Sequence, residues 1–398
     1  MNKVILHCDL NCFFASVEML YNPELRNVPR AIGGDQKQRH GIILAKNVLA
    51  KKKGIKTAES IVEARKKCPE LVIRQADYES YIYFSDKVKQ IYYQYTDKVE
   101  PFGIDECWLD ISQSISYFGS VEKIVNELLY RIRNELGLTI SIGIADNRYY
   151  AKLGSDIAEE DSFFYVRSLE DIEYMGADCL FGVGKHMYET LRSYNIKTIG
   201  DLANKPLGYL VEHFGKYGQV LHDVSNGIDH GAIMPFESEE ETPKSISHTI
   251  TSYKDICDLD ELKLVLTAVS ERVASDLRSQ GLYYSTVHIF LRDNRMKART
   301  IQETLKENSD LAKDIFDISL KLFIRDCDFK VPYRAIGVAV SKLSDHKQIA
   351  QTSLFEESTY SVKQKKKEQA MDDIRRRFGD KSILSLRMLQ DRKLSGVE

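Results

Sequence analysis

The chain has 398 residues and a formal net charge of −3, and 43% of its residues are hydrophobic and 29% charged. This length exceeds what one hydrophobic core can organise and predicts about two to four domains. No apolar run is long enough to span a membrane and no charged-then-apolar signal opens the chain, so we expect neither a membrane protein nor a secreted one.

The seven cysteines are dispersed and show none of the paired spacings that bind zinc or mark a disulfide framework. We therefore expect reduced thiols in a cytoplasmic protein.

The charge is unevenly distributed, because residues 244–350 sum to +2, residues 361–398 sum to +5, and the rest of the chain sums to −10. Binding to nucleic acid would then depend on local basic patches rather than on net charge.

The first predicted element is a short buried strand over residues 4–8, which leads directly to Asp9. A helix is predicted over residues 12–20 and ends at Asn22-Pro23. Residues 24–75 contain further short pieces of strand and helix. A carboxylate therefore stands at the end of the first strand.

An amphipathic helix predicted over residues 78–95 leads into a β-hairpin that carries two adjacent carboxylates, Asp105 and Glu106. Adjacent strand residues point to opposite faces, so a turn or bulge is needed to direct both side chains to one point. Carboxylates held close together repel unless a cation lies between them, and hard oxygen ligands favour Mg²⁺. These two residues alone are equally compatible with a solvated hairpin tip. Asp9 on a neighbouring strand favours a two-metal phosphoryl-transfer site.

Helices predicted over 120–136 and 147–157 flank a strand at 138–145, and a strand at 163–166 completes an α/β block. Residues 167–232 are predicted to form short helices, and they include a helix-hairpin-helix signature. Its members are Leu180, Phe181, Gly182, Val183, Gly184 and Lys185. The glycines allow the backbone to approach a phosphate, and the next helix N-terminus offers free N–H donors. An ordinary turn between helices is the alternative.

Residues 233–243 are acidic and contain two prolines, which predicts a linker. Strands are then predicted at 244–249, 285–292 and 336–340, with helices at about 258–279 and 308–326. A basic loop follows the second of these strands. Its cations are Arg292, Arg295, Lys297 and Arg299. Phosphate contacts are favoured over a merely solvated loop.

Two motifs together point to a family. They are Asp9-Leu10-Asn11-Cys12-Phe13-Phe14-Ala15-Ser16-Val17-Glu18 and Gly103-Ile104-Asp105-Glu106. In this order and spacing they resemble the bacterial Y-family (UmuC/DinB-type) translesion DNA polymerases, over about the first 355 residues.

The resemblance implies an α/β and α+β multidomain fold, the right-hand polymerase architecture. A ferredoxin-like palm would comprise residues 1–11 and 77–166, and small fingers would comprise residues 12–76. A helical helix-hairpin-helix thumb would occupy residues 167–232. After the linker, a little finger of sheet and helices would occupy residues 244–350, and residues 351–398 would hold a clamp-binding motif and a basic helical tail.

The resemblance also implies a low-fidelity DNA-directed DNA polymerase of the SOS response to DNA damage. It would join dNTPs to a primer 3′-hydroxyl by two-metal-ion nucleotidyl transfer. The implied ligands of two Mg²⁺ ions, for which Mn²⁺ can substitute, are Asp9, Asp105, Glu106 and the carbonyl of Leu10. Phe14 takes the steric-gate position that excludes a ribose 2′-hydroxyl. Cys12 and Phe13 would lie beside the nucleotide, although Phe13 also suits a helix core. Lys152 matches the family lysine that reaches the triphosphate.

The fingers segment departs from the commonest DinB-type pattern, Ala-Asn-Tyr-x-Ala-Arg-Lys. Val48 replaces the tyrosine and Lys51 replaces the arginine, which is closer to the UmuC branch. Lys51 keeps the charge and loses the bidentate fork, and Val48 cannot hydrogen-bond to phosphate. We therefore expect altered nucleotide affinity and fidelity, with the metal chemistry unchanged.

The tail contains a peptide that resembles the bacterial motif for binding the sliding clamp (β subunit). Its residues are Gln351, Thr352, Ser353, Leu354 and Phe355, with the glutamine as hydrogen-bonding anchor and the last two filling an apolar pocket. Farther on, Met371, Ile374 and Phe378 share one helical face, and Gly379 offers a C-cap. The opposite face is basic, so the helix could dock on the body or contact DNA or a partner.

The sequence leaves three hypotheses: the polymerase, a catalytically weak or partner-dependent scaffold that binds DNA and clamp, and another palm enzyme such as a nucleotide cyclase. Three clustered carboxylates argue against the scaffold. The thumb, the little finger and the clamp peptide argue against the cyclase. We expect a monomer in the cytoplasm, associated with the nucleoid and not with a membrane, whose partners are primer–template DNA, dNTP and the sliding clamp.

Overall fold

The computed structural model describes residues 3–34, 41–234, 242–346 and 359–396. The described residues up to 234 belong to one compact unit, and those from 242 onward belong to another. The boundary between the units falls within the segment 233–243, for which a linker is predicted. Across the described ranges, no helix combines the length and the apolarity that crossing a membrane requires.

The first unit alternates strands and helices. In chain order these are β1 (Ile5–Leu10), α1 (Phe13–Tyr21), β2 (Arg30–Gly33), β3 (Ile43–Lys46), α2 (Val48–Lys52), α3 (Ile61–Lys67), β4 (Val72–Gln75), α4 (Tyr78–Tyr92), β5 (Val99–Phe102), β6 (Glu106–Asp110), α5 (Ile115–Phe118), α6 (Val121–Arg131), β7 (Ile140–Ala145), α7 (Arg148–Ile157), β8 (Ser162–Tyr165), α8 (Lys185–Ser193), α9 (Ile199–Ala203), α10 (Leu207–Phe214) and α11 (Lys216–Ser225). Single 3₁₀ turns lie at Pro23–Asn27, Leu169–Asp171 and Ala177–Cys179, and a π turn lies at Ile132–Leu136.

A five-stranded sheet in the order β5-β6-β1-β7-β8 forms the centre of this unit. β1 pairs antiparallel with β6 and β7, whereas β8 runs parallel to β7. Side chains alternate along β1, as a strand requires. Leu6 and Cys8 pack in a core that α4 and α6 complete, whereas Ile5 and the other odd-numbered positions face α7.

Local signals fix where the long helices of this unit begin. Asp77, Ser120 and Asn147 are N-caps whose side chains accept backbone N–H bonds from the first turns of α4, α6 and α7. The predicted helix over 120–136 ends as an α-helix at Arg131 and continues as the π turn. The predicted interleaving of strands and helices is confirmed.

Two smaller groups of elements complete the first unit. A three-stranded sheet in the order β3-β2-β4 packs with α2 and α3 around its own small core. The helices α8 to α11 share a core with the α7 side of the central sheet, where Trp108 and Ala151 meet Leu191 and Leu202.

The second unit contains a four-stranded sheet and helices. Its elements are β9 (Ser245–Ile256), α12 (Leu259–Ser279), β10 (Tyr283–Asp293), β11 (Ala298–Ser309), α13 (Ala312–Asp326), β12 (Tyr333–Ser344), α14 (Thr359–Phe378) and α15 (Leu386–Gln390). The sheet is antiparallel in the order β11-β10-β12-β9. α12 and α13 cover one face and form the core with it. The prediction for the segment of β11 was wrong, because the sequence predicted a basic loop there and a helix from residue 308.

The tail helices α14 and α15 pack against α12 and α13, which confirms docking on the body. The predicted apolar face is wrong in part, because Ile374 is 38% and Phe378 75% exposed. The packed face is polar instead and centres on Glu368, which is 6% exposed. Gly379 ends α14 with a positive φ of 88°, as predicted, and its N–H donates to the carbonyl of Arg375.

Candidate active site

The hairpin and the first strand bring the predicted carboxylates to one edge of the sheet. Asp9 and Glu106 are direct cross-strand partners on β1 and β6. Asp105 lies in the turn before β6, and its carbonyl accepts the Leu10 N–H at 3.0 Å. Gly103 has a φ of 77°, which a glycine adopts without strain. The turn that the sequence analysis required is therefore present.

An ammonium group lies between these carboxylates. The Nζ of Lys152 is 3.2 Å from Asp9 Oδ2, 3.2 Å from Glu106 Oε2 and 3.0 Å from Asp156 Oδ1. α7 carries this lysine because it packs over the odd-numbered face of β1. All residues of this cluster belong to the first unit. The positive charge of Lys152 lies where it reduces the repulsion between the carboxylates.

The electrostatics of the carboxylates reflect their burial. Burial raises the pKa of Asp9 to about 6, against the lowering effect of Lys152. Burial and the negative charge of Glu106 raise the pKa of Asp105. The pKa of Glu106 is lowered although burial opposes this, because a hydrogen bond to His7 and the charge of Lys152 favour its ionised form. Burial therefore opposes the ionisation of Asp9 and Asp105, and added positive charge would favour it.

The donor set fits a hard divalent cation. The predicted ligands are of the hard oxygen type: the carboxylates of Asp9, Asp105 and Glu106, and the carbonyl of Leu10, which follows Asp9 in the chain. Within the described ranges, no group of three His, Cys, Asp or Glu side chains is arranged to hold a metal ion. The contacts of Lys152 give the physical reason, because its ammonium already lies between two of the carboxylates.

Two residues of this site, His7 and Ser155, are not predicted from the sequence. His7 is fully buried, and its Nε2 is 3.1 Å from Glu106 Oε2. Its Nδ1 is 2.7 Å from the Oγ of Ser155 on α7. Burial is the main cause that lowers the pKa of His7. The alternation of side chains along β1 could have indicated His7 as a site residue, because it places His7 on the same face as Asp9.

The predicted steric gate has an aromatic support. The ring of Phe14 stacks on Tyr81 at 4.3 Å between centroids, with an interplanar angle of 9°. The Tyr81 hydroxyl donates to Glu18 Oε1 at 3.2 Å, and the buried Arg30 donates to Glu18 Oε2 at 2.9 Å. Phe14 is thus held by a chain of contacts that reaches the three-stranded sheet.

The other predicted nucleotide residues have different surroundings. Phe13 is 2% exposed in the core, which agrees with the helix-core alternative for its side chain. Cys12 is the N-cap of α1 in a left-handed conformation. Lys51 is exposed on α2. Val48 lines a cavity of about 440 Å³ together with Arg133, a cation that the sequence analysis did not single out.

The predicted DNA contacts lie on two separate elements. In the helix-hairpin-helix, Gly182 has a φ of 85°, Gly184 is the N-cap of α8, and Lys185 begins that helix. In the second unit, Arg292 and Arg299 lie on paired strands rather than in a loop, with Arg295 and Lys297 at the tip between them. The guanidinium of Arg299 already has a partner within the protein, because it donates to the carbonyl of Asp326 at 2.8 Å. The clamp peptide at 351–355 lies outside the described residues.

Comparison with family models matches three stretches of the chain. Residues 8–156 match the impB/mucB/samB family, and residues 243–354 match the C-terminal domain of that family. Residues 178–229 match a model described as the thumb domain of DNA polymerase-iota.

Several curated relatives are similar over nearly their whole length. DNA polymerase IV of Acetivibrio thermocellus is 38% identical over 401 residues, covering 100% of both chains. DNA polymerase IV of Clostridium acetobutylicum is 33% identical, covering 98% of this chain and 99% of the relative. DNA polymerase IV 2 of Bacillus subtilis is 34% identical, covering 96% and 93%. None of these matches tests the UmuC-like branch suggested by the fingers segment, which stays a prediction.

A solved Y-family DNA polymerase chimera of Dbh and Dpo4 has a similar fold. It superimposes with a TM-score of 0.74 at 19% identity, covering 86% of this chain and 100% of the chimera. The predicted fold class is confirmed by this likeness and by the thumb match.

Proposed function

Because the chain belongs to the impB/mucB/samB family of Y-family DNA polymerases, we propose that it is a DNA-directed DNA polymerase that performs translesion synthesis. It joins dNTPs to the 3′-hydroxyl of a primer and copies past damaged bases. The observation that supports this most directly is the position of Asp9 opposite Glu106, with Asp105 in the adjoining turn.

Asp9, Asp105, Glu106 and the Leu10 carbonyl are the groups that would hold Mg²⁺, with Mn²⁺ as a substitute. Bound there, divalent cations supply the positive charge that favours ionisation of the primer hydroxyl and departure of pyrophosphate. The raised pKa values of Asp9 and Asp105 support this assignment, because burial opposes the ionisation of both groups and a bound cation would favour it.

The protein's own side chains orient the reactants. The primer oxygen bonds to the α-phosphorus while the bond from that phosphorus to the pyrophosphate oxygen breaks. Lys152, whose ammonium is 3.2 Å from Asp9 Oδ2 and from Glu106 Oε2, would contact the triphosphate. Phe14, stacked on Tyr81, blocks the space that a ribose 2′-hydroxyl needs. Lys51 offers a second cation for phosphate oxygens without the arginine fork.

The finer assignments complete the proposal. The peptide at Gln351, Ser353, Leu354 and Phe355 binds the sliding clamp, and the basic residues of the thumb and little finger hold primer–template DNA. The protein acts as a monomer in the cytoplasm at the nucleoid, during the SOS response.

Primer extension by the purified protein tests the function. Mg²⁺ and single dNTPs are supplied with an undamaged template and with a template that carries one abasic site. Extension on both templates, abolished by EDTA, is expected. No extension despite tight primer–template binding would favour the scaffold, or an enzyme that depends on its clamp or another partner.

A further inference from the structure

The tail encloses a cavity that is separate from the polymerase site. It has a volume of about 430 Å³ and lies between α14, α15 and the two helices that cover the sheet of the second unit. This volume is in the range of about 300–1,000 Å³ that is typical of ligand pockets. All residues that line the cavity belong to the second unit.

A network of ion pairs holds the walls of this cavity. Arg278 on α12 pairs with Glu368 at 2.6 Å and with Asp372 at 2.7 Å, both on α14. Arg375 on α14 pairs with Glu271 on α12 at 2.6 Å. Glu368 also accepts the N–H of Ala312 at the start of α13. Arg278 thus pairs with two of the three acidic side chains that line the cavity and Arg375 pairs with the third, and these ion pairs join α14 to α12.

The floor of the cavity is apolar. Phe316, Met371 and Leu384 line it, and Leu386 at the mouth is 81% exposed. Ile374 and Phe378 add exposed apolar surface on the same helix α14. Bulky apolar side chains exposed beside a cavity are typical of a surface that binds a partner.

Two cations at the mouth are available for a ligand. Lys367 and Arg387 line the cavity, and neither forms an ion pair with a carboxylate in the described part of the chain. The guanidinium of Arg387 lies over the ring of Phe316, 5.2 Å from its centroid, and donates to the Oγ1 of Thr267 at 3.2 Å. Arginine and aromatic side chains are both enriched among interface hot spots.

We propose that this cavity binds an acidic peptide segment of another protein, which inserts one bulky apolar side chain. The apolar side chain fills the floor at Phe316 and Met371. Carboxylates that flank it in the peptide pair with Lys367 and Arg387. A nucleic acid fits less well, because it requires a row of cations along its phosphates rather than a single apolar cavity with two cations.

The test uses the full-length protein and a fluorescein-labelled hexapeptide, Asp-Glu-Asp-Phe-Asp-Glu, followed by fluorescence anisotropy. We expect a dissociation constant of about 10–100 μM and a loss of about tenfold when the Phe of the peptide is replaced by Ala. Lys367→Glu and Arg387→Glu should each weaken binding about tenfold. Arg377→Glu is the matched control, because it makes the same charge change on an exposed residue of α14 that does not line the cavity, and it should leave binding within about twofold.

Primer extension by all three variants should equal that of the wild type, which shows that they are folded. The proposal is overturned if the peptide does not bind, if the Ala peptide binds equally well, or if Arg377→Glu weakens binding as much as the other variants. It is also overturned if single-stranded DNA of about 20 nucleotides displaces the peptide and itself depends on Lys367 and Arg387, because the surface would then be a nucleic-acid site.

Discussion

Asp9 is a predicted metal ligand whose ionisation lowers the stability of the folded protein. Its pKa in the folded protein is about 6, above the ordinary 3.8, so the folded state binds the proton more tightly than the unfolded chain does. The resulting destabilisation is absent below about pH 4, grows between the two pKa values, and is complete above about pH 6. At neutral pH without metal, the ionised carboxylate therefore lowers the free energy of unfolding.

Asp9→Asn should accordingly stabilise the protein and abolish synthesis. We expect a gain of about 1–3 kcal/mol at pH 7.5 in EDTA, measured by urea unfolding. The gain should vanish near pH 4. Added Mn²⁺ should stabilise the wild type more than the variant, because only the wild type retains its full ligand set. A variant that is less stable than the wild type in EDTA would contradict this account of Asp9.

Phe14 should control the choice between deoxyribonucleotides and ribonucleotides. Phe14→Val removes the ring that lies on Tyr81, and we expect discrimination against rNTPs to fall by about 100-fold or more, measured as the ratio of kcat/KM values. Tyr81→Phe is the matched control, because it removes the hydroxyl bonded to Glu18 and leaves the stacked rings. Equal loss in both variants would show that the hydroxyl network, rather than the ring, excludes the ribose.

At the residue scale, the site residues that belong to a sequence motif could be predicted. The residues that join the site only through tertiary packing could not. Asp9, Asp105 and Glu106 stand in recognisable segments, and the structure brings Asp9 and Glu106 together. His7 contacts Glu106 on the neighbouring strand, and Ser155 reaches His7 only because α7 packs on the odd-numbered face of β1. No local pattern specifies that packing.

At the scale of elements, hydrophobic periodicity and alternation predicted α4, α6, α7 and the strands of the central sheet that flank them. The caps of α4, α6 and α7 are visible in the sequence, because a short polar side chain precedes each apolar-periodic run. β11 was missed because it is an edge strand whose side chains are mostly polar. The docking face of α14 was misjudged for a related reason. It buries Glu368 in ion pairs, and an apolar stripe, the usual signal, is absent there.

The two glycines of the helix-hairpin-helix should respond differently to alanine. Gly182 has a φ of 85°, so Gly182→Ala should lower stability by about 1–2 kcal/mol. Gly184 has a φ of −75° and open space where the methyl group of an alanine would lie, so Gly184→Ala should leave stability unchanged. Both should weaken primer–template binding, because an added methyl group blocks close approach to a phosphate.

Urea unfolding and fluorescence anisotropy on labelled primer–template measure the two effects separately. Gly184→Ala protein that binds DNA as well as the wild type would argue that this hairpin is an ordinary turn.

At the scale of the whole molecule, the sequence predicts a linker at residues 233–243, and the described residues on its two sides belong to different compact units. The finer division of the first unit into palm, fingers and thumb stays a prediction. The helices assigned to the thumb share one core with the α7 side of the central sheet, so this boundary has no gap in packing. Composition reveals a linker, whereas it cannot reveal two predicted domains that share a core.

One variant tests most directly whether the chain catalyses synthesis through Asp9, Asp105 and Glu106. Single-turnover incorporation of one correct dNTP should be compared between the wild type and Asp105→Ala/Glu106→Ala, with primer–template affinity measured on the same samples. We expect the rate to fall by about 1,000-fold or more while the dissociation constant for DNA changes by less than about threefold. A variant that retains the wild-type rate would contradict the claim.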